Sequence, residues 1–189
     1  MAIHRLLGSI LLAGIGAVSS AAPDSCAVRG QAVVDAAATY VGVREATGHN
    51  DGVEVEAILH TVGLGPGYAW CGAYCYAVVI RSGSVKMPGG ARAYAWAPSW
   101  HPPARRVWQR SRGLKFTGLG PKAPMPGDVF GVYYASMKRI GHVGIVQEWG
   151  DTVITLEGNT SGGGSRDGDG VYRRRRKMDQ LYCVSRWHC

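Results

Sequence analysis

Cys71 lies in the stretch Tyr68-Ala69-Trp70-Cys71-Gly72-Ala73-Tyr74-Cys75-Tyr76, just after the turn-rich run Gly63-Leu64-Gly65-Pro66-Gly67. After it, Ala73, Ala77, Val78 and Ile80 recur on a helical period until Ser82-Gly83-Ser84 stops the pattern. This spacing predicts that Cys71 occupies the first turn of a helix. Free N–H groups and the positive end of the macrodipole stabilise a thiolate there, and the thiolate is the attacking form. The position also suits a packing or disulfide-bonded cysteine, because cysteine is among the most buried residue types. What separates the two readings lies further along the chain.

His142 to Trp149 and Thr152 to Glu157 read as strands joined by Gly150-Asp151, a two-residue pair typical of hairpin loops. If Trp149 faces Thr152, then Gly144 faces Glu157 and His142 faces Asn159. Alternation places His142, Gly144, Glu157 and Asn159 on one sheet face. Opposed Cβ atoms lie about 4.5–5.5 Å apart and diagonal neighbours stay within reach of long side chains. Either Asn159 or Glu157 could therefore hydrogen-bond the imidazole. Gly144, lacking a side chain, would leave room for the Cys71 helix to dock. A helix-start thiol, a strand histidine to take its proton and a polar residue to orient the imidazole make up the machinery of a thiol hydrolase. A lone strand histidine is more often structural; one with Glu and Asn on its own face and a helix-start cysteine is harder to dismiss.

The elements that must position these groups follow in order. Ala27 to Val41 reads as a mostly apolar helix closed by Gly42. Asp51 with Glu54 has the form of a capping box before Val55, Ile58, Leu59 and Val62, which line one helical face ending at Gly63. Ser84 to Pro126 is the least regular part, with Trp96, Trp100 and Trp108 interleaved among Arg92, Arg105, Arg106 and Arg110. These tryptophans could stack on sugar rings, although covering the core is the commoner fate of large aromatics. From Pro126-Gly127-Asp128 the period changes to strands: Val129 to Tyr134, the hairpin, Tyr172 to Lys177 and Leu181 to Arg186. Helices first and antiparallel strands after predict an α+β fold.

The 189 residues suffice for one domain with a sizeable core, and 46% hydrophobic content is that of a globular chain. The formal net charge of +8 favours anionic partners: nucleic acid, acidic membranes or wall polymers. Met1 to Arg5, the apolar run Leu6 to Val18 and Ser19-Ser20-Ala21-Ala22 read as a secretory signal over residues 1–22, leaving one domain over 23–189. No later stretch is long and apolar enough to span a bilayer. Export makes disulfides permissible. The five cysteines after the cut (Cys26, Cys71, Cys75, Cys183 and Cys189) suit one free Cys71 and two bridges among the other four.

Several motifs together resemble the CHAP-type amidases and peptidases of the NlpC/P60-like, papain-like superfamily. Tyr-Ala-Trp-Cys-Gly-Ala-Tyr-Cys resembles their nucleophile motif and Met-Pro-Gly-Asp-Val-Phe their strand opening. Gly-His-Val-Gly-Ile-Val is similar to their histidine strand and Leu-Glu-Gly-Asn-Thr-Ser to their Glu-x-Asn ending. Thr47 to Asp51 and Ala91 to Trp100 are similar to flanking pieces of phage-lysin relatives. The resemblance implies a CHAP fold and hydrolysis of a peptidoglycan amide bond, either muramoyl–L-alanine or peptide. It makes Cys71 the nucleophile, His142 the base, Glu157 the third member and Asn159 a supporting fourth, with no cofactor or metal. Cys75 and Tyr76 depart from the residues many relatives carry.

The implied partner is peptidoglycan, met outside the cytoplasm as a secreted or periplasmic monomer; no nucleic acid is expected. A non-catalytic wall-binding protein on the same fold is the rival reading, which would have no need of Cys71, His142 and Glu157 together. Cys71, Cys75, His142, Cys183, His188 and Cys189 could ligate a metal, but their spacing fits no familiar zinc pattern. Asp167-Gly168-Asp169-Gly170 lacks the rest of a calcium loop and reads as a turn. The run Arg173 to Lys177 reads as an anion-binding or solvated edge.

Overall fold

The computed structural model describes residues 25–110, 116–117, 123–162 and 168–189. The proposed signal over 1–22 and Asp167 of the Asp-Gly repeat lie outside them.

Three α-helices come first among the described residues: α1 (Ser25–Ala38), α2 (Val53–His60) and α3 (Cys71–Arg81). Helix α1 ends short of the expected Val41. Gly42, at φ 100°, and Val43 turn the chain into pairing distance of Val171, with N–H to carbonyl distances of 3.2 and 2.9 Å. The expected capping box of α2 is replaced. Asp51 accepts from the backbone and hydroxyl of Thr47 at 2.9 and 2.6 Å. Gly52 is the N-cap, and the Glu56 carboxylate takes its N–H at 3.2 Å.

The strands are β1 (Arg106–Arg110), β2 (Phe116–Thr117), β3 (Val129–Tyr134), β4 (Arg139–Glu148), β5 (Thr152–Thr160), β6 (Gly170–Lys177) and β7 (Cys183–Ser185). They form one antiparallel sheet in the order β2-β1-β7-β3-β4-β5-β6. The α+β expectation holds, and the five expected strands appear at their places as β3 to β7. The irregular stretch contributes β1 and β2, which the sequence reading did not anticipate, along with short 3-10 turns over Ala91–Ala95 and Ala97–Trp100.

Alternation along the strands splits the core. Val143, Ile145 and Leu156 join α1, α2 and α3 through Val33, Ile58, Leu59, Tyr74 and Val78. Phe130, Val146, Val153 and Val184 form a second cluster with Trp108 and Leu181. The glycine that lets α3 approach the sheet is Gly158, not Gly144. A Cβ on Gly158 would lie 2.6 Å from the Tyr74 ring, whereas one on Gly144 would strike Phe130 at 2.7 Å. Gly144 shares its face with the second cluster, so the room it leaves is taken by Phe130.

Helix α1 is tied to the far end of the described residues. Cys26 and Cys189 form a disulfide that closes the start of α1 onto the last residue. Beside it, Asp128 of the Pro-Gly-Asp turn is fully buried and accepts from Arg186 at 2.9 and 2.8 Å and lies 3.1 Å from Nε2 of His188. The expectation of two bridges is corrected. Cys75 and Cys183 are free thiols, each fully buried, one on the core face of α3 and one on β7 between β1 and β3. Both act as small apolar side chains. No helix among the described residues is long and apolar enough to cross a membrane.

Candidate active site

Cys71 is the first residue of α3, as the spacing predicts, and its N-cap is Trp70. No side chain caps this helix end. The chain just before the thiol is instead pinned from outside. The Trp70 N–H donates to Oδ1 of Asn159 at 3.0 Å and the Trp70 indole N–H donates to Oε1 of Glu45 at 2.9 Å. His142 comes from β4 and Glu157 from β5. Nε2 of His142 lies 2.8 Å from Oε2 of Glu157. That leaves Nδ1 for the thiol of Cys71, to which the imidazole is hydrogen-bonded. Cys71, His142 and Glu157 retain 7%, 5% and 0% of their exposure, so the thiol–imidazole–carboxylate chain is largely shielded from water.

Burial is the largest single influence on each of these groups, and specific partners overcome it. Burial opposes ionisation of Cys71, but the hydrogen bond and charge of His142, then the N–H groups of Val143 and Gly72, hold the thiol below its ordinary value. The helix start thus contributes less than the histidine does. Burial alone would lower the His142 pKa; bonding to Cys71 and Glu157 raises it to about 9. Glu157 is kept well below the usual carboxylate range, against burial, by Arg176 first and His142 second. The three shifts run the same way: each favours the charged form, thiolate on Cys71, imidazolium on His142 and carboxylate on Glu157.

The expected hairpin register returns at the site after a local departure. Glu148 faces Ile154 near the turn, one residue beyond the expected Val153. A bulge between Val146 and Glu148 then restores the expected pairing, so Ile145 faces Leu156. The continuation to His142 opposite Asn159 fails. Asn159 has φ 55°, and the β5–β6 pairing shifts between Glu157 and Thr160. The Asn159 side chain turns from the imidazole to Trp70, and its amide nitrogen donates to Oδ1 of Asn50 at 3.0 Å. The structure therefore brings Cys71, His142 and Glu157 into one chain and sets Asn159 behind Cys71.

Four contributors escaped the sequence reading. Arg176 grips Glu157 through Nε and a terminal nitrogen, both at 2.6 Å, and its guanidinium lies 5.5 Å from the Phe130 ring. Thr155 donates its hydroxyl to the same carboxylate. Glu45 and Asn50 complete the anchor behind Cys71. Arg176 had a legible signal. In a β6 strand paired Glu157 to Tyr172, residues 172, 174 and 176 share the face of Glu157. The run of arginines alternates accordingly: Arg174 and Arg176 are half-buried, while Arg173, Arg175 and Lys177 are exposed. The reading of this run as one basic edge is half right.

Cys71 sits in a cleft with two lobes. One, of about 710 Å³, is lined by His49, Asn50, Met137, His142, Asn159 and Asp169. The other, of about 340 Å³, runs past Leu64, Tyr68, Arg92 and Trp96. Of the expected tryptophans, Trp100 and Trp108 are core residues and Trp96 is 51% exposed at this cleft. Among the described residues, no three His, Cys, Asp or Glu side chains gather as metal ligands would.

The arrangement can generate a nucleophilic thiolate and return a proton to a leaving group beside an open cleft. The family model for the CHAP domain matches residues 63–159, just over half of the 189-residue chain and a span that holds Cys71, His142, Thr155, Glu157 and Asn159. No curated protein and no solved structure matches the chain.

Proposed function

The chain belongs to the CHAP-domain family, and from that premise we propose that it is an exported peptidoglycan hydrolase that cleaves an amide bond through a cysteine thioester. Hydrolysis of peptidoglycan amides is the activity the family implies in general. The observation that carries the finer reading is the buried chain from Cys71 through His142 to Glu157. A wall-binding protein without chemistry would have no use for an ionised thiol at the mouth of a cleft.

Each group then has a task. The Cys71 thiolate attacks the carbonyl carbon of the scissile amide. The amide oxygen takes the negative charge, and the Cys71 N–H at the start of α3 would receive it; one such donor is worth about 10²–10³ in rate in other enzymes. The His142 imidazolium gives its proton to the departing amine, which leaves a thioester on Cys71. His142, now neutral, takes a proton from water, and the hydroxide displaces the thiolate to release a carboxylate. Glu157 holds Nε2–H and balances the imidazolium charge throughout. Arg176 and Thr155 keep Glu157 ionised and aimed, and Asn159 and Glu45 hold the backbone that precedes Cys71.

Export by a signal over residues 1–22 fits the Cys26–Cys189 disulfide, since such bridges persist in oxidising compartments. The exposed Arg173, Arg175 and Lys177 would add electrostatic affinity for an anionic wall. Digestion of purified sacculi, followed by mass spectrometry of the released fragments, tests the proposal. The expected result is a new amine and a new carboxylate at one amide position, with no release by Cys71→Ala. Equal release by Cys71→Ala would overturn it, and wild-type protein that binds sacculi without cutting them would favour a wall-binding module.

A further inference from the structure

The two lobes that meet at Cys71 differ in charge. Arg139 lines both, but the larger alone carries Asp169, with His49 and His142. The smaller is lined by Arg92 and Arg139 on an apolar floor that includes Leu64, Tyr68 and Trp96, and no acid among the described residues lines it. The Arg139 guanidinium lies 4.1 Å from the Trp96 ring centroid. Trp96 and Tyr68 are 51% and 55% exposed, so the floor is open to a ligand.

No acid among the described residues forms an ion pair with either arginine. Arg139 donates to the carbonyl of Ile140 at 3.0 Å and Arg92 to that of Gly63 at 2.5 Å. Carbonyl partners occupy single donors but cancel no charge. The ion pairs among the described residues involve other groups. Two guanidinium groups thus reach the cleft with donors to spare, one held in place by stacking on an aromatic face. Guanidinium forks match carboxylates in geometry as well as charge.

We infer that the Arg92–Arg139–Trp96 lobe is a carboxylate subsite, which takes a free carboxylate of an anionic wall peptide beside the scissile amide. The aliphatic part of that peptide residue covers the Trp96 and Tyr68 surfaces. Arg92 lines only the smaller lobe and Asp169 only the larger, so these two set the direction in which the peptide lies across Cys71, with Arg139 at the junction. The inference rests on the hydrolase reading for its substrate class, and it adds a preference: a peptide whose carboxylate is amidated is a poorer substrate.

Steady-state cleavage of a soluble muropeptide and its amidated counterpart tests this. Wild-type protein should lose about tenfold in kcat/KM on amidation, mostly through KM, which is the scale of one charge-assisted hydrogen bond. Arg92→Ala and Arg139→Ala should lose a similar factor on the free-carboxylate peptide and no longer tell the two apart. Wild-type protein that cuts both equally overturns the subsite, as do variants that lose equally on both. Calorimetric binding of both peptides to Cys71→Ala reads the subsite without chemistry. Preference for the anionic peptide there supports it even if wild-type protein cuts neither, a result that would sink the hydrolase reading alone; equal affinity overturns it.

Discussion

Asn159 accepts the backbone N–H of Trp70 at 3.0 Å, which ties the end of β5 to the residue that precedes Cys71. The same side chain donates to Asn50, and Glu45 holds the Trp70 indole. The thiol is therefore held from behind by one polar cluster and addressed from the front by another, His142 with Glu157.

The two clusters should fail differently. Asn159→Ala leaves a buried N–H unpaired, which costs about 1–3 kcal/mol of stability. It should lower turnover about tenfold while leaving the pH profile in place. Glu157→Gln removes the charge behind the imidazole, and turnover should fall by more, on the order of 10²-fold or beyond, as for tautomer-fixing carboxylates elsewhere. Turnover and pH profile for both variants, with circular dichroism as folding control, decide the assignment. Near-wild-type turnover in Glu157→Gln would remove that residue from the reaction.

Activity should follow a window of pH set by the thiolate–imidazolium pair. Its acid limb reflects protonation of Cys71, whose pKa is lowered, and its alkaline limb reflects loss of the His142 proton near pH 9. The histidine's folded value lies above its unfolded 6.5. The stability it contributes is complete below pH 6.5 and is lost as pH rises through about 9. In Glu157→Gln the alkaline limb should move to lower pH. A kcat/KM profile that keeps its alkaline limb in that variant would assign the limb to another group.

Only one cysteine should react in the folded protein. Cys71 has a lowered pKa and lies at the cleft. Burial pushes Cys75 well up and Cys183 up to about 12, and both thiols are enclosed. Iodoacetamide should modify Cys71 alone and abolish cleavage, as read by peptide mapping. Equal labelling of Cys75 would mean that α3 opens in solution.

Arg176 should matter to the fold as well as the site. Removing one partner of a buried pair leaves an uncompensated charge, typically at a cost of about 3–5 kcal/mol. Arg176→Met should therefore lower the denaturation midpoint far more than Arg175→Met, its exposed neighbour on β6. Equal shifts for the two would show that the Glu157 pair contributes little.

The sequence by itself determined the helix start at Cys71, the strand order of the site residues and, through strand alternation, the register that pairs Ile145 with Leu156. Those features are local. Helical and two-residue periods are written in neighbouring side chains, and a one-residue slip would turn a buried face to solvent. Tertiary structure decided the rest. The left-handed backbone at Asn159 turned its side chain from His142 to Trp70 and left Glu157 as the histidine's partner. Pairing of β5 with β6 singled Arg176 out of a run of like residues. Closure of α1 onto the chain's last residue chose Cys26–Cys189 and left Cys75 and Cys183 buried as thiols. Packing of the irregular stretch buried Trp100 and left Trp96 open over the cleft. Each of these turns on contacts between residues far apart in the chain, where composition and period carry no information about which of several chemically equivalent side chains will meet.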